Sequence, residues 1–318
     1  MTTFKEIRGT DILALSSDPS NPETGQIWYN SSSGTLKGVV ALAAGWSSGG
    51  NLNTARSGLA GAGTQTATLG FGGYSAPYSA ATESYNGSSW TSVSSMNTAR
   101  YTLGGTGTQT AALAFGGETS RSAVESWNGT SWTTTTSLNT ARQSLAGGGT
   151  QTATVAFGGQ SAPGAVQSAT ESWNGSSWTS VNSMNTARSY LAGCGTQTLA
   201  LAFGGRTPTI VANTESWNGT SWTAVNVLNT ARQNLSGAGI NTAALAFGGA
   251  TPTVTAATEL WNGTSWTSNP TGMASARATF AGAGTQASAL GFGAGTPGNA
   301  TEEWTGPGST VTKTITVS

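Results

Sequence analysis

The sequence predicts an all-β protein: a closed six-bladed β-propeller of four-stranded antiparallel blades, with a short arm before it and a tail after it. Three observations predict it. Arginine recurs at Arg56, Arg100, Arg142, Arg188, Arg232 and Arg277, giving successive periods of 44, 42, 46, 44 and 45 residues. Each period runs through the same pieces in the same order: a Gly-rich stretch, Phe-Gly-Gly or a close variant, Glu, an aromatic, Asn-Gly and Trp. The apolar pieces are short. Helical repeats of this length need long amphipathic runs, so the period belongs to blades. The expected boundaries are an arm at 1–40, the propeller at 41–306 and a tail strand at 307–318.

Within a copy, the first piece, such as Ser57-Gly58-Leu59-Ala60-Gly61-Ala62-Gly63, predicts the innermost strand, because small residues suit a crowded centre. The second, Thr66 to Phe71, predicts a partner strand that buries one face through Leu69 and Phe71, two residues apart. The spacing from Arg to Phe is 15 in every copy, and that from Glu to the second aromatic is 7 in the first five. Such constancy suits paired strands, whose register is set by a two-residue alternation. Gly72-Gly73 predicts a positive backbone dihedral and a close approach that no side chain permits. The third strand is expected over Thr82-Glu83-Ser84-Tyr85. Asn86-Gly87 then gives a hairpin turn, and Trp90 begins the outer strand. These tryptophans read as packing between blades rather than as sugar platforms, since they recur too regularly to serve a ligand.

The chain ends predict how the ring closes. Trp46 stands 10 residues before Arg56, the spacing of Trp90 to Arg100, while the last copy lacks an outer Trp after Trp304. A strand near 41–48 is expected to complete the last blade. The alternating stretch 311–317 is a competing candidate.

Charge is sparse, at 8% of residues, and balanced at a formal net of zero. Six of the twelve basic residues are the repeated arginines, and six of the twelve acidic ones are Glu83, Glu125, Glu171, Glu215, Glu259 and Glu302. One Arg and one Glu per copy read as a structural pair rather than a ring of ligand-binding charges. With those arginines assigned, no basic patch is left for nucleic acid. The sequence has no apolar run of membrane-spanning length and no basic-then-apolar leader, so neither membrane insertion nor Sec-type routing is expected.

Catalysis is not expected either. Histidine is absent, which removes the usual neutral-pH base and the commonest metal ligand, so neither a metal site nor a cofactor is assigned. Asp11 and Asp18 lie in the arm, and the single cysteine, Cys194, reads as a small buried filler. The Asn-Gly-Ser/Thr triplets, such as those at Asn128 and Asn218, read as hairpin turns rather than glycosylation acceptors.

Variation points to where a partner would bind. Phe to Glu spans 12, 10, 14, 12, 12 and 10 residues in successive copies, placing nearly all length differences in loops at 74–80, 118–122, 160–168, 206–212, 250–256 and 295–300. Tyr74, Tyr78, Arg121 and Arg206 are their most distinctive side chains, either as ordinary loop residues or as contacts. In the arm, Ile27-Trp28-Tyr29 and Thr35-Leu36-Lys37 flank a Ser/Gly turn and predict a hairpin. Trp28 and Tyr29 are its candidate anchors.

The order Arg, Leu-Ala-Gly, Phe-Gly-Gly, Glu-Ser-Trp and outer Trp resembles the kelch-type repeat over roughly four-fifths of the chain, with copy six departing at Phe292-Gly293-Ala294. That resemblance implies a binding platform more often than an enzyme. The arm segment from Asp18-Pro19 to Leu36-Lys37, including Thr24-Gly25-Gln26-Ile27-Trp28-Tyr29-Asn30, is similar to segments of tailed-bacteriophage virion proteins. It implies a noncatalytic tail, fibre or capsid-associated component located in the virion. Such a component would join other virion proteins through the arm and could face a host glycan or receptor. Homo-oligomer formation is left open. The alternative expectation is a kelch-like lectin or protein-binding scaffold of cellular origin.

Overall fold

The computed structural model describes residues 12–20, 22–23, 25–41, 43–294, 298–308 and 310–315. Asp11, Asn21 and Thr24 of the arm, 295–297 of the sixth variable loop and 316–317 of the C-terminal stretch lie outside the described residues. The chain divides into two compact units, Gly45–Trp304 and the flanking segments Met1–Ala44 with Thr305–Ser318.

Among the described residues seven four-stranded sheets are present, not six. The expectation of a closed six-bladed propeller with a separate arm and tail is corrected by this count. It is also corrected by the fact that, among the described residues, no sheet and no set of sheets is closed into a barrel by a continuous ladder. The seventh sheet consists of the segments read as arm and tail.

In Gly45–Trp304 the first repeat contributes Ala60–Thr64, Ala67–Phe71, Thr82–Tyr85 and Trp90–Val93, each antiparallel to the next. The next four repeats build their sheets on the same plan. The sixth supplies only Ala281–Gly284, Ser288–Phe292 and Thr301–Thr305, and its fourth strand is Gly45–Ser48, from ahead of the first repeat.

Local chemistry explains these strands. Asn86 accepts backbone hydrogen bonds from Ser88 and Ser89 through Oδ1 at 3.0 and 2.9 Å, and Gly87 takes φ +91°, so the turn closes on its own side chain. The inner strand is Gly-rich for a tertiary reason: a Cβ at Gly105 would stand 2.7 Å from Cζ of Phe71 in the preceding sheet.

The second strand is buried on both faces, Thr68 and Gly70 as well as Leu69 and Phe71, which corrects the one-sided alternation expected for it. The reason is that each of the six sheets of Gly45–Trp304 lies between two others of that unit. Phe71 packs on Trp132 of the next sheet with ring centroids 4.9 Å apart, and the contact recurs at Phe203–Trp266, Phe247–Trp46 and Phe292–Trp90. A buried aromatic of this kind typically costs about 3–5 kcal/mol to truncate to Ala.

The last of these contacts joins the sixth sheet to the first, so the order of the six sheets of Gly45–Trp304 is cyclic although each sheet keeps two edges. A circle of backbone hydrogen bonds follows the same order. Thr102, Ser144, Tyr190, Asn234, Thr279 and Gly58 each donate N–H to the carbonyl of the one before, at 2.7–3.0 Å, and Gly58 closes on Thr279.

The other unit is a sheet ordered Leu13–Leu15, Ile27–Asn30, Thr35–Ala41 and Thr310–Ile315. Its first pair is parallel and the other two are antiparallel, with Trp28 opposite Lys37 and Gly38 opposite Lys313. The C-terminal stretch that competes for the sixth repeat's sheet is thus spent here. Trp28, Asn30 and Val39 form the buried centre of this sheet.

A candidate ligand-binding face

The repeated charges form the frame that carries the loops. Arg142 donates Nη2 to Glu171 Oε1 at 2.8 Å and Nη1 to the carbonyls of Gly158 and Ala169 at 2.9 and 2.6 Å. Glu171 in turn accepts the backbone N–H groups of Asn139 and Thr140 at 2.7 and 3.2 Å. Arg56–Glu83, Arg100–Glu125, Arg188–Glu215 and Arg232–Glu259 repeat the pair at 2.8–3.0 Å, and Arg277–Glu302 repeats it as well. All six pairs are shielded from solvent. Burial pulls each guanidinium below its ordinary pKa, and the facing carboxylate opposes that shift. These twelve side chains are occupied internally and leave their charges unavailable to a ligand.

The two residues after each arginine differ from copy to copy: Ser57-Gly58, Tyr101-Thr102, Gln143-Ser144, Ser189-Tyr190, Gln233-Asn234 and Ala278-Thr279. The second of each pair belongs to the hydrogen-bonded circle and has φ between 53° and 61°. For Thr102 and Thr279, both β-branched, this left-handed conformation is strained. The circle rims a recess of about 90 Å³ lined by Thr102, Ser144, Tyr190, Asn234 and Thr279 above a floor of Leu and Phe. Gln143 Oε1, Ser144 Oγ, Ser189 Oγ and Gln233 Oε1 are buried and take no hydrogen-bond partner among the described residues. Unsatisfied polar atoms of this kind are rare in a finished core, and here four fall within three of these residue pairs.

Of the sequence candidates, the structure brings Tyr74 and Tyr78 together, and adds Tyr101. Their ring centroids are 5.7 Å apart for Tyr74–Tyr78, 6.0 Å for Tyr74–Tyr101 and 6.1 Å for Tyr78–Tyr101. Tyr74 is 45% and Tyr78 37% exposed. Burial, followed by the neighbouring Tyr190, Glu118 and Tyr78, raises the Tyr101 pKa. Arg121 pairs with Glu118 at 3.4 Å, and Glu118 bridges backbone to backbone with Tyr101. Arg206 is exposed on the fourth repeat's loop, bridged to Ser189 and Ile210. Beside Tyr74 and Tyr101 a cleft of about 380 Å³ opens toward Ser57, Ala278 and Thr279.

Loop length does not reveal Tyr101, which lies outside the variable loops. Its signal was substitution at fixed register: it stands directly after Arg100, where the other copies carry Ser, Gln or Ala.

The arm candidates separate. Trp28 is fully buried in its own sheet and donates Nε1 to Asp18 Oδ1 at 3.1 Å, whereas Tyr29 is 41% exposed. Asp18 also accepts from Lys37 Nζ and Asn30 Nδ2, each at 2.7 Å. The Lys37 and Asn30 hydrogen bonds lower its pKa to about 2. Among the described residues no helix is long and apolar enough to cross a membrane, and no three His, Cys, Asp or Glu side chains cluster so as to hold a metal ion.

No family model and no curated protein matches this chain. The kelch resemblance and the kinship with tailed-phage virion proteins are therefore corrected: they rest on local residue order and find no support beyond it.

Proposed function

We propose that this chain is a noncatalytic binding protein in which Gly45–Trp304 displays one variable face to a partner. The observation that carries the reading is the convergence of variation, exposed aromatics and unsatisfied polar atoms on the residues after each arginine and the adjoining loops. The frame below is repeated almost unchanged, so the face can vary without a cost to the core. Absence of histidine and internal use of the repeated glutamates favour binding over catalysis. The sheet of 13–41 with 310–315, with Tyr29 exposed, is read as the part that attaches the chain to a larger assembly.

The test is an array of glycans and peptides probed with the full chain and with a variant carrying Tyr101→Ser and Thr102→Gly, the residue types of the first copy. Binding that the variant loses supports the reading. No binding to any member, or binding indifferent to this change and to substitutions elsewhere on the face, overturns it.

A further inference from the structure

Resting on the reading of this face as a binding surface, we infer that the cleft walled by Tyr74 and Tyr101 is a subsite for a neutral saccharide. Six repeats place a residue directly after the Gly-Gly or its variant, and five of them, Tyr74, Glu118, Gln160, Arg206 and Ala250, are described. Only the first is aromatic. At the same junction Tyr101 follows its arginine and Tyr78 returns from the loop, so three tyrosines gather at one of the junctions between repeats. The frame does not require them, since the other repeats do without.

Their geometry makes a platform. Tyr78 and Tyr101 lie nearly parallel at 27°, and Tyr74 meets them edge-on at 67° and 65°. A solvent-exposed aromatic wall next to an open cleft offers an apolar face to the C–H face of a sugar ring. Ser57, bridged backbone to backbone with Tyr74, and Thr279 also line the cleft, and their hydroxyls can give and take hydrogen bonds.

Charge narrows the ligand. Among the described residues that line the cleft the one charged side chain is Arg56, and its guanidinium is committed to Glu83 and to the carbonyls of Gly72 and Ala81. An anionic group would find no free cation among the described residues that line the cleft, which disfavours phosphate and carboxylate ligands. A volume of about 380 Å³ lies at the small end of ligand pockets and suits one or two sugar rings. Thr279 lines both this cleft and the central recess, where Ser144 Oγ is buried without a partner among the described residues, so a second ring would meet further hydroxyls. A proline-rich peptide also stacks on tyrosine, but it brings few hydrogen-bond donors to a wall of hydroxyls and carbonyls.

The experiment titrates the full chain calorimetrically with neutral gluco-, galacto- and N-acetylglucosamine oligosaccharides, and in parallel with a proline-rich peptide and inorganic phosphate. The expected result is saccharide binding that weakens about tenfold or more in Tyr74→Ala, equivalent to about 1.4 kcal/mol, and is largely retained in Tyr74→Phe. Tyr74 is a good probe because it is exposed, and an unchanged melting temperature checks that the variant is folded. Failure of every saccharide to bind overturns the inference, as does binding that Tyr74→Ala leaves intact. Peptide or phosphate binding at this face without saccharide binding overturns the saccharide assignment while leaving the binding-face reading in place. Loss of the binding-face reading itself is registered separately, by the array.

Discussion

Trp178 packs in one buried cluster with Val124, and its indole Nε1 takes no hydrogen-bond partner among the described residues. The five equivalent tryptophans all donate to a threonine of the adjoining sheet: Trp46 to Thr258, Trp90 to Thr301, Trp132 to Thr82, Trp222 to Thr170 and Trp266 to Thr214, at 2.9–3.1 Å. Valine holds the threonine place at this junction alone. Threonine matches valine in shape and adds the missing acceptor, so Val124→Thr is expected to stabilise the protein by about 1 kcal/mol. Urea denaturation of the two proteins checks it, and a destabilised variant would count against the pairing rule.

Arg142→Ala removes the guanidinium and leaves Glu171 buried with a charge that only backbone N–H groups face. Breaking one partner of a buried pair costs about 3–5 kcal/mol, and that loss is expected in the denaturation midpoint. Replacing both, as Arg142→Met with Glu171→Leu, should cost less than the sum of the single changes, because no charge is then stranded.

Gln65 ties the first repeat to the sixth: its Nε2 donates to the carbonyls of Trp304 and Ala289 at 2.7 and 3.1 Å, and Ser288 donates to its Oε1 at 2.7 Å. Gln109 and Gln286 clip their own junctions in the same way. In Gln65→Leu the carbonyls and the Ser288 hydroxyl lose their partner, and a cost of about 1–3 kcal/mol is expected. Hydrogen exchange should rise first at the strands Ala67–Phe71 and Thr301–Thr305. Uniform protection there would sink the idea that this side chain holds the junction.

Asp18 gives the arm sheet a pH dependence. Its pKa falls from the ordinary 3.8 to about 2 through hydrogen bonds from Lys37 first, then Asn30 and Trp28. A carboxylate whose pKa is depressed by folding stabilises the folded state fully above its unfolded value, and that contribution disappears as pH drops through the folded one. The sheet should therefore be indifferent to acid down to about pH 4 and weaken between there and about 2. The indole N–H resonance of Trp28, assigned with Trp28→Phe, reports the change, and Asp18→Asn should abolish the dependence in this window.

Cys194 is buried, and removal from water pushes its thiol up to about 12. The thiolate is the reactive form, so the native protein should react with a thiol reagent no faster than it unfolds. Rapid labelling at neutral pH in the absence of denaturant would show that the strand Ala192–Gly195 opens locally.

Much of each repeat is legible from short-range chemistry. Asn86-Gly87 marks a turn because its geometry is made by its own side chain and a residue with positive φ, and both are visible without a neighbour. One Arg and one Glu per copy give the count of buried pairs, since a charge repeated at fixed register amid so few others has little else to meet. The double-sided burial of the second strand is not legible in the sequence for the opposite reason. Alternation describes a strand with one side in water, and Thr68 and Gly70 are covered by a neighbouring sheet.

By itself, then, the sequence determined where the strands of each repeat lie, which residues turn the chain, and which charges belong to the frame. Only the tertiary structure decided that Thr310–Ile315 pairs with Thr35–Ala41 rather than with the last repeat. It also decided that Gly45–Ser48 joins strands some 250 residues away, and that Tyr101 comes to lie beside Tyr74 and Tyr78. These are contacts between distant segments with interchangeable local propensities. An alternating Thr/Val/Ile stretch can extend any open edge, and which edge it takes depends on the total surface buried. No residue of the stretch encodes that choice.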